Sequence, residues 1–169
     1  MTSSPNDSIE IVRGSSANDV LRGDGIGNIL EGSEGRDFLS GRGGDDDLRG
    51  GAGDDVLTGG AGADILRGGA GSDAFRFLSA DGSVDEISNF GVESDVIQLD
   101  ASGFSSLNEG TVSTDSFTTG AAAQDANDYL IYDGTTLFYD SDGNGAGAAV
   151  AIATIGNNAA LDADDFLII

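Results

Sequence analysis

Between Gly14 and Arg76 an acid or its amide recurs every nine residues: Asp19, Asn28, Asp37, Asp46, Asp55, Asp64 and Asp73. Each closes a Gly-rich run. Two residues later comes one large apolar residue: Leu21, Leu30, Leu39, Leu48, Leu57, Leu66 and Phe75. If alternate blocks stack, Asp37 superposes on Asp55, Asp46 on Asp64 and Asp55 on Asp73. Carboxylates held this close resist ionising together, so a cation must lie between them. Arginine is too sparse for that task, and lysine is absent. Hard carboxylate oxygens beside bare Gly carbonyls are the ligand set of Ca²⁺, which accepts about six to eight oxygens in flexible geometry. Mg²⁺ demands strict octahedral geometry. Zn²⁺ favours Cys or His, and the chain has neither.

The element that must position these acids is a repeat. The stretch divides into GSSANDVLR, GDGIGNILE, GSEGRDFLS, GRGGDDDLR, GGAGDDVLT, GGAGADILR and GGAGSDAFR. Six Gly-rich residues suit a turn, because Gly reaches positive φ without steric cost. The remaining three suit a very short strand. Strand, turn, strand, turn makes one coil of eighteen residues, and stacked coils bury one another's apolar residues as a parallel solenoid. A helix is disfavoured by interior glycines that each cost about 1 kcal/mol against Ala. A plain acidic linker would need no bulky residue at every ninth place.

The last three blocks fit G-G-x-G-x-D-x-U-x, and the chain therefore resembles the RTX (hemolysin-type) calcium-binding nonapeptide-repeat family. The match is tight from Gly32 to Phe75 and looser before it, where Ala17, Ile26 and Asn28 break the pattern. The resemblance implies an all-β parallel β-roll with one Ca²⁺ between successive loops on each edge. It implies ligation by paired acids and by loop carbonyls of Gly32, Gly35, Gly41, Gly44, Gly50, Gly51, Gly53, Gly59, Gly60, Gly62, Gly68, Gly69 and Gly71. Blocks three to seven give three sites. Asp19 with Asp37, and Asn28 with Asp46, add two, so about five ions are expected within a range of three to seven.

Beyond Arg76 the acid-x-apolar rule persists at Asp85 with Ile87 and Asp95 with Ile97. These read as irregular closing coils whose acids pair with Asp64 and Asp73, or as plain turn acids. The expected organisation is an N-terminal strand over residues 1–13, with Ile9, Ile11 and Val12 covering the open end. The roll follows over 14–76, closing coils over 77–100, and a C-terminal β cap over 101–169. Within the cap, 101–128 reads as loop with a short helix. YLIYDGTTLFY reads as a hairpin about Asp133-Gly134, and AAVAIATI as a third strand. Antiparallel pairing of these strands would cover an aggregation-prone edge. Asp140, Asp142 and Asn144 match half of an EF-hand loop, but Ala151 stands where its final Glu belongs. An ordinary acidic turn is the favoured reading there.

Composition bounds the function. A net charge of −23 in 169 residues, with no basic residue after Arg76, disfavours nucleic acid and favours a cation. High charge with modest hydrophobicity places the metal-free chain near the disordered class, so binding and folding are expected to be coupled. A site at ten times its dissociation constant contributes about 1.4 kcal/mol. Five such sites reach about 7 kcal/mol, a usual domain stability. Extracellular Ca²⁺ modules bind at about 0.1–1 mM, so such sites fill outside the cell. Catalysis is not expected: His, Cys, Trp and Lys are absent, as are the H-E-x-x-H, G-x-S-x-G and Walker motifs.

MTSSPNDSIE has neither the basic nor the apolar region of a signal peptide, and no apolar run spans a membrane. The initiator Met and the form of the end favour a complete chain. The terminal LDADDFLII resembles the uncleaved tail signal of type I secretion substrates, or is a last strand of the cap, or both. Export through type I machinery to the extracellular space, as a monomer, is the leading expectation. The alternative is Ca²⁺-dependent docking of an anionic polysaccharide on an outward stripe of Arg22, Arg49, Arg67 and Arg76, attached to or acting with an extracellular enzyme. The bland reading of that stripe is solubility and edge protection.

Overall fold

The computed structural model describes residues 10–91, 94–143, 149–157 and 159–169. The described chain is all-β, its helical content one 3₁₀ turn at Ala163–Asp165. The strands are β1 (Glu10–Arg13), β2 (Val20–Arg22), β3 (Asn28–Glu34), β4 (Phe38–Gly43), β5 (Asp47–Ala52), β6 (Val56–Ala61), β7 (Ile65–Ala70), β8 (Ala74–Phe77), β9 (Asp85–Ile87), β10 (Val96–Leu99), β11 (Gly110–Thr111), β12 (Phe117–Thr119), β13 (Leu130–Tyr132), β14 (Thr136–Tyr139), β15 (Val150–Ile155) and β16 (Phe166–Ile168). They form two sheets. Sheet one runs β1-β3-β5-β7-β9-β15-β14-β13-β12, and sheet two runs β11-β16-β10-β8-β6-β4-β2.

Odd and even strands alternate between the sheets from β1 to β10, which is a parallel β-solenoid with a coil of two strands. The register is eighteen residues: Leu30 stands on Leu48 and Leu48 on Leu66 in sheet one, and Leu39 on Leu57 and Leu57 on Phe75 in sheet two. The ladder is shut off from solvent, and each such side chain contributes about 2 kcal/mol relative to exposure. An apolar residue at the same place in every coil therefore selects a single register, because a slip by one residue turns the ladder outward.

The strands are longer than the expected three residues. β3 to β7 each span six or seven, because pairing continues through the first three residues of the following block, as in Ser33 with Gly51 and Glu34 with Ala52. Only the last three turn residues lie outside the ladder. A second difference concerns the N-terminal strand. β1 extends sheet one, parallel to β3, and its Ile11 is 55% exposed. Of the residues expected to cover the end, Val12 stands on Leu30 and packs against the core, whereas Ile11 does not; Ile9 lies outside the described residues.

At the other end the hairpin forms as expected, with Leu130 opposite Tyr139 and Tyr132 opposite Leu137. β15 pairs antiparallel with β14 and parallel with β9, which joins the C-terminal strands to the last coil of sheet one. The tail is β16, parallel to β10 and antiparallel to β11, with Phe166 and Ile168 buried. Between residues 101 and 128 the chain is mostly loop, as expected, but the short elements in it are β11 and β12 and not a helix. That stretch is rich in Ser and Thr, which compete for backbone groups and disfavour helix interiors.

Candidate metal centre

The turns stack into two columns. Edge one, where sheet one passes to sheet two, carries Asp19, Asp37, Asp55, Asp73 and Asp95. Edge two carries Asn28, Asp46, Asp64 and Asp85. Every neighbouring pair is joined the same way: the backbone N–H of one residue donates to Oδ1 of the acid one coil on. The distances on edge one are 2.8 Å for Asp19 to Asp37, 2.8 Å for Asp37 to Asp55, 3.0 Å for Asp55 to Asp73 and 3.0 Å for Asp73 to Asp95. On edge two they are 2.7 Å for Asn28 to Asp46, 2.8 Å for Asp46 to Asp64 and 3.0 Å for Asp64 to Asp85. The two irregular acids, Asp85 and Asp95, thus join the columns despite their longer turns.

The other carboxylate oxygen sets the chemistry. Oδ2 of Asp37, Asp46, Asp55, Asp64 and Asp73 is buried with no hydrogen-bond partner. A buried charged oxygen left so is costly unless it is paired or holds a metal. Each of these oxygens lies against the first glycine of its own block, and for Asp37, Asp46 and Asp55 a main-chain carbonyl of the next coil stands beside that glycine. A Cβ on Gly32 would meet Asp37 Oδ2 and stand 2.5 Å from Gly50 O; one on Gly50 would meet Asp55 Oδ2 and stand 2.6 Å from Gly68 O. Gly41 relates in the same way to Asp46 Oδ2 and Gly59 O, while Gly59 and Gly68 press on Asp64 and Asp73. The space a side chain would fill is ringed by oxygens.

Among the candidate carbonyls, the structure therefore brings those of Gly32, Gly41, Gly50, Gly59 and Gly68 to the acids' column. Gly35, Gly44 and Gly53 instead present their carbonyls to Gly53, Gly62 and Gly71 one coil on, and Gly51 presents its own to Gly69. Gly60 stacks on the carbonyl of Arg42.

Burial pushes Asp46, Asp55, Asp64, Asp73 and Asp85 up. Asp46 and Asp73 rise from 3.8 to about 6, and Asp85 to about 7. Asp55 and Asp64 rise for the same first reason, loss of water. The ends of the columns differ. Asp19 is half-buried and accepts the Ser15 N–H and hydroxyl on Oδ2, which holds it below its ordinary value. Asp95 Oδ2 accepts from Gly91 N at 2.8 Å. Asn28 Oδ1 accepts from Asp24 N at 2.9 Å, and its buried Nδ2 is unpartnered. An amide nitrogen offers no lone pair to a metal.

Among the described residues no three acidic side chains converge on one point. A cation here would take one or two carboxylates and complete its shell with main-chain carbonyls, which suits Ca²⁺ with its tolerance for neutral oxygens. The donor set fits that ion, and Asp37, Asp46, Asp55, Asp64 and Asp73 are the residues that would hold it.

A second set of bridges escaped the sequence reading. Asn18, Asp45 and Asp54, each just before the column residue, accept on Oδ1 from Arg36 N, Ala63 N and Ser72 N one coil on. Doublets such as Asp45-Asp46 and Asp54-Asp55 were the available signal. The arginine stripe needs correction. Arg49 and Arg67 lie on sheet one, and Arg22 and Arg76 on sheet two, because consecutive blocks alternate sheets. Arg49 pairs with Glu31 and Asp47, and Arg67 with Asp47. Asp140 and Asp142 sit in a turn, with Asp142 N donating to Asp140 Oδ1; Asn144 lies outside the described residues.

The columns and the two-sheet coil define a calcium-type parallel β-roll. Residues 6–25, 23–57 and 40–75 match the RTX calcium-binding nonapeptide repeat, and the chain carries RTX repeats over that stretch. Calcium binding is the property of that repeat family. Among solved structures the chain is similar to the R3 subunit of the mannuronan C5-epimerase AlgE6 from Azotobacter vinelandii, determined in solution. The identity is 28%, the TM-score is 0.38, and the alignment covers 98% of this chain and 86% of that one. No curated protein matches. No helix of the described residues is long and apolar enough to cross a membrane.

Proposed function

We infer that the chain is a non-catalytic Ca²⁺-loaded β-roll module, exported unfolded by a type I route and folded outside the cell by the ion. The observation that carries the calcium half is the set of five buried carboxylate oxygens without partners. Their environment is tolerable only with the proton or a cation in place. The export half draws support from the tail. LDADDFLII is β16 and its flank in the folded chain, with Phe166 and Ile168 buried, so a receptor reads it only before folding. Low cytoplasmic Ca²⁺ keeps the chain in that state, and millimolar Ca²⁺ outside ends it.

Calorimetric titration with Ca²⁺, followed in parallel by circular dichroism, tests the first half. The expected result is about five ions, within three to seven, taken up together with the gain of β structure. A chain that is fully folded in chelator and binds no Ca²⁺ overturns it. Removing residues 161–169 and measuring export from cells carrying a type I exporter tests the second. Unchanged export overturns it. The alternative of polysaccharide docking keeps only the arginines of sheet two, since those of sheet one are held by carboxylates.

A further inference from the structure

A cleft of about 240 Å³ opens where the turn between β8 and β9 departs from the nine-residue rule. Arg42, Thr58, Arg76, Phe77, Leu78, Asp81 and Asp85 are among the residues that line it. Three observations single out Thr58 and the two arginines. Thr58 is 6% exposed, and its Oγ1 has no hydrogen-bond partner. Arg42 has no carboxylate partner among the described residues, in a chain with 30 acids. Arg76 likewise makes no salt bridge among the described residues, and its charge reaches only as far as helping to lower Asp100. Arg76 is held by Gln98 Oε1 through Nε at 3.0 Å and Nη2 at 2.8 Å, with its guanidinium 6.0 Å from the Phe38 ring centre. A fixed guanidinium, a second one without a salt bridge, and a buried hydroxyl lacking a partner make a donor set for a planar carboxylate. Phe77 and Leu78 supply an apolar wall.

We propose that this cleft binds a small organic carboxylate, no larger than a single sugar acid, on Arg42, Arg76 and Thr58. The volume lies just under the range of about 300–1,000 Å³ that holds drug-sized ligands, which sets the size. The proposal rests on the calcium reading in one respect. Asp81 and Asp85 repel an anion unless a divalent ion is held at the Asp64–Asp85 rung, so carboxylate binding requires Ca²⁺.

The test uses the full chain saturated with Ca²⁺ and titrated with sodium glucuronate, with acetate as a second carboxylate and glucose as the neutral control. Amide ¹⁵N–¹H shifts at Gly60, Ala61 and Leu78 are the readout. Saturable shifts with both acids and none with glucose are expected. Arg42→Gln weakens binding about tenfold and Thr58→Val by about threefold, as loss of hydrogen bonds to a charged group implies. Arg22→Gln, on the same sheet outside the cleft, leaves it within about twofold. All three variants keep the calcium titration of the parent. Normal calcium binding without saturable shifts overturns this proposal alone, as do shifts indifferent to Arg42→Gln and Thr58→Val, or shared by glucose. A parent chain that binds no Ca²⁺ overturns the calcium reading and this proposal with it.

Discussion

Asp64 and Asp128 are both buried, in the roll and in a loop of the C-terminal region respectively, and they are satisfied in opposite ways. Asp128 Oδ2 accepts from Gln124 N at 2.6 Å and from Asp125 N at 3.0 Å, both within its own loop. Asp64 gives Oδ1 to the neighbouring coil and leaves Oδ2 without a donor. Local turns bring amides to a carboxylate, whereas a stack of identical turns brings carboxylates and carbonyls to one another. Translation by eighteen residues places like on like, so the roll accumulates acceptors that only an added cation or proton satisfies. The C-terminal region has no such repeat, and its acids cap their own loops, as Asp133 does for Thr135 and Thr136.

The largest effect that separates the regions is removal of calcium. In chelator at neutral pH, amide hydrogen exchange across 28–99 should lose protection by orders of magnitude, since about 7 kcal/mol of ion binding goes with it. The loop around Asp128 should lose protection only in so far as β15 and β16 lose their neighbours β9 and β10. Equal protection in the roll with and without calcium removes the distinction.

Protons are the milder substitute. The folded values of about 6 for Asp46 and Asp73 and about 7 for Asp85 lie above the ordinary 3.8. The folded chain thus keeps protons that the unfolded chain has lost between about pH 4 and 7. That stabilisation is complete below the unfolded value and disappears as pH rises through the folded ones. Metal-free protein should therefore melt at a higher temperature at about pH 5 than at pH 7.5. Calcium-loaded protein should show the reverse, because protons then compete with the ion. Melting curves at the two pH values, with and without Ca²⁺, check both signs.

Asp→Asn substitution sharpens the contrast residue by residue. Asp64→Asn touches two rungs of edge two, toward Asp46 and toward Asp85, and should remove one to two ions and about 1.4–3 kcal/mol. Asp128→Asn should cost about 1 kcal/mol through weakened loop hydrogen bonds and leave the ion count unchanged. Calorimetric stoichiometry with urea denaturation distinguishes the two.

The eighteen-residue register and the ladder of Leu side chains were legible because nine residues fix both at once. The columns were legible as pairings, Asp85 and Asp95 included, since an acid two places before a buried residue must fall at the turn. The division of the Arg side chains was not foreseen, because a linear motif does not display the alternation of sheets. Nor was the role of the first glycine in each block. Its reason is space beside Oδ2, whereas the second and fourth glycines, such as Gly51 at φ 118° and Gly53 at φ 127°, answer to the positive-φ argument. Sequence cannot separate these two demands, since both read as Gly.

That separation predicts a graded effect of alanine. On Gly59 a Cβ meets Asp64 Oδ2 and the Asp64 side chain itself, so Gly59→Ala should cost at least about 2 kcal/mol, as overpacking does, and weaken calcium binding. Gly134, in the hairpin, sits at φ 97° with nothing within 4 Å of its Cβ position. Gly134→Ala should cost about 1 kcal/mol from backbone strain alone and leave calcium binding intact. Equal losses at the two sites would mean that the oxygen-lined space matters no more than an ordinary turn.

The smallest effect has opposite signs in the two regions. Ser33 stands at φ 92° where its register neighbours are Gly51 and Gly69, so the third block forces a side chain into left-handed backbone. Ser33→Gly relieves about 1–2 kcal/mol of strain and raises unfolded-chain entropy by about 0.5–1 kcal/mol. The net expectation is a stabilisation of about 0.5–1 kcal/mol and a small rise in melting temperature. Ser102, beyond the roll, donates through both its N–H and its hydroxyl to Asp100 Oδ1. Ser102→Gly removes the hydroxyl donor and adds the same entropy, so it should lower the melting temperature by a comparable amount. A rise at Ser33 with a fall at Ser102, measured at saturating calcium, shows that the roll selects residues by backbone conformation where the C-terminal region selects them by the hydrogen bonds they make.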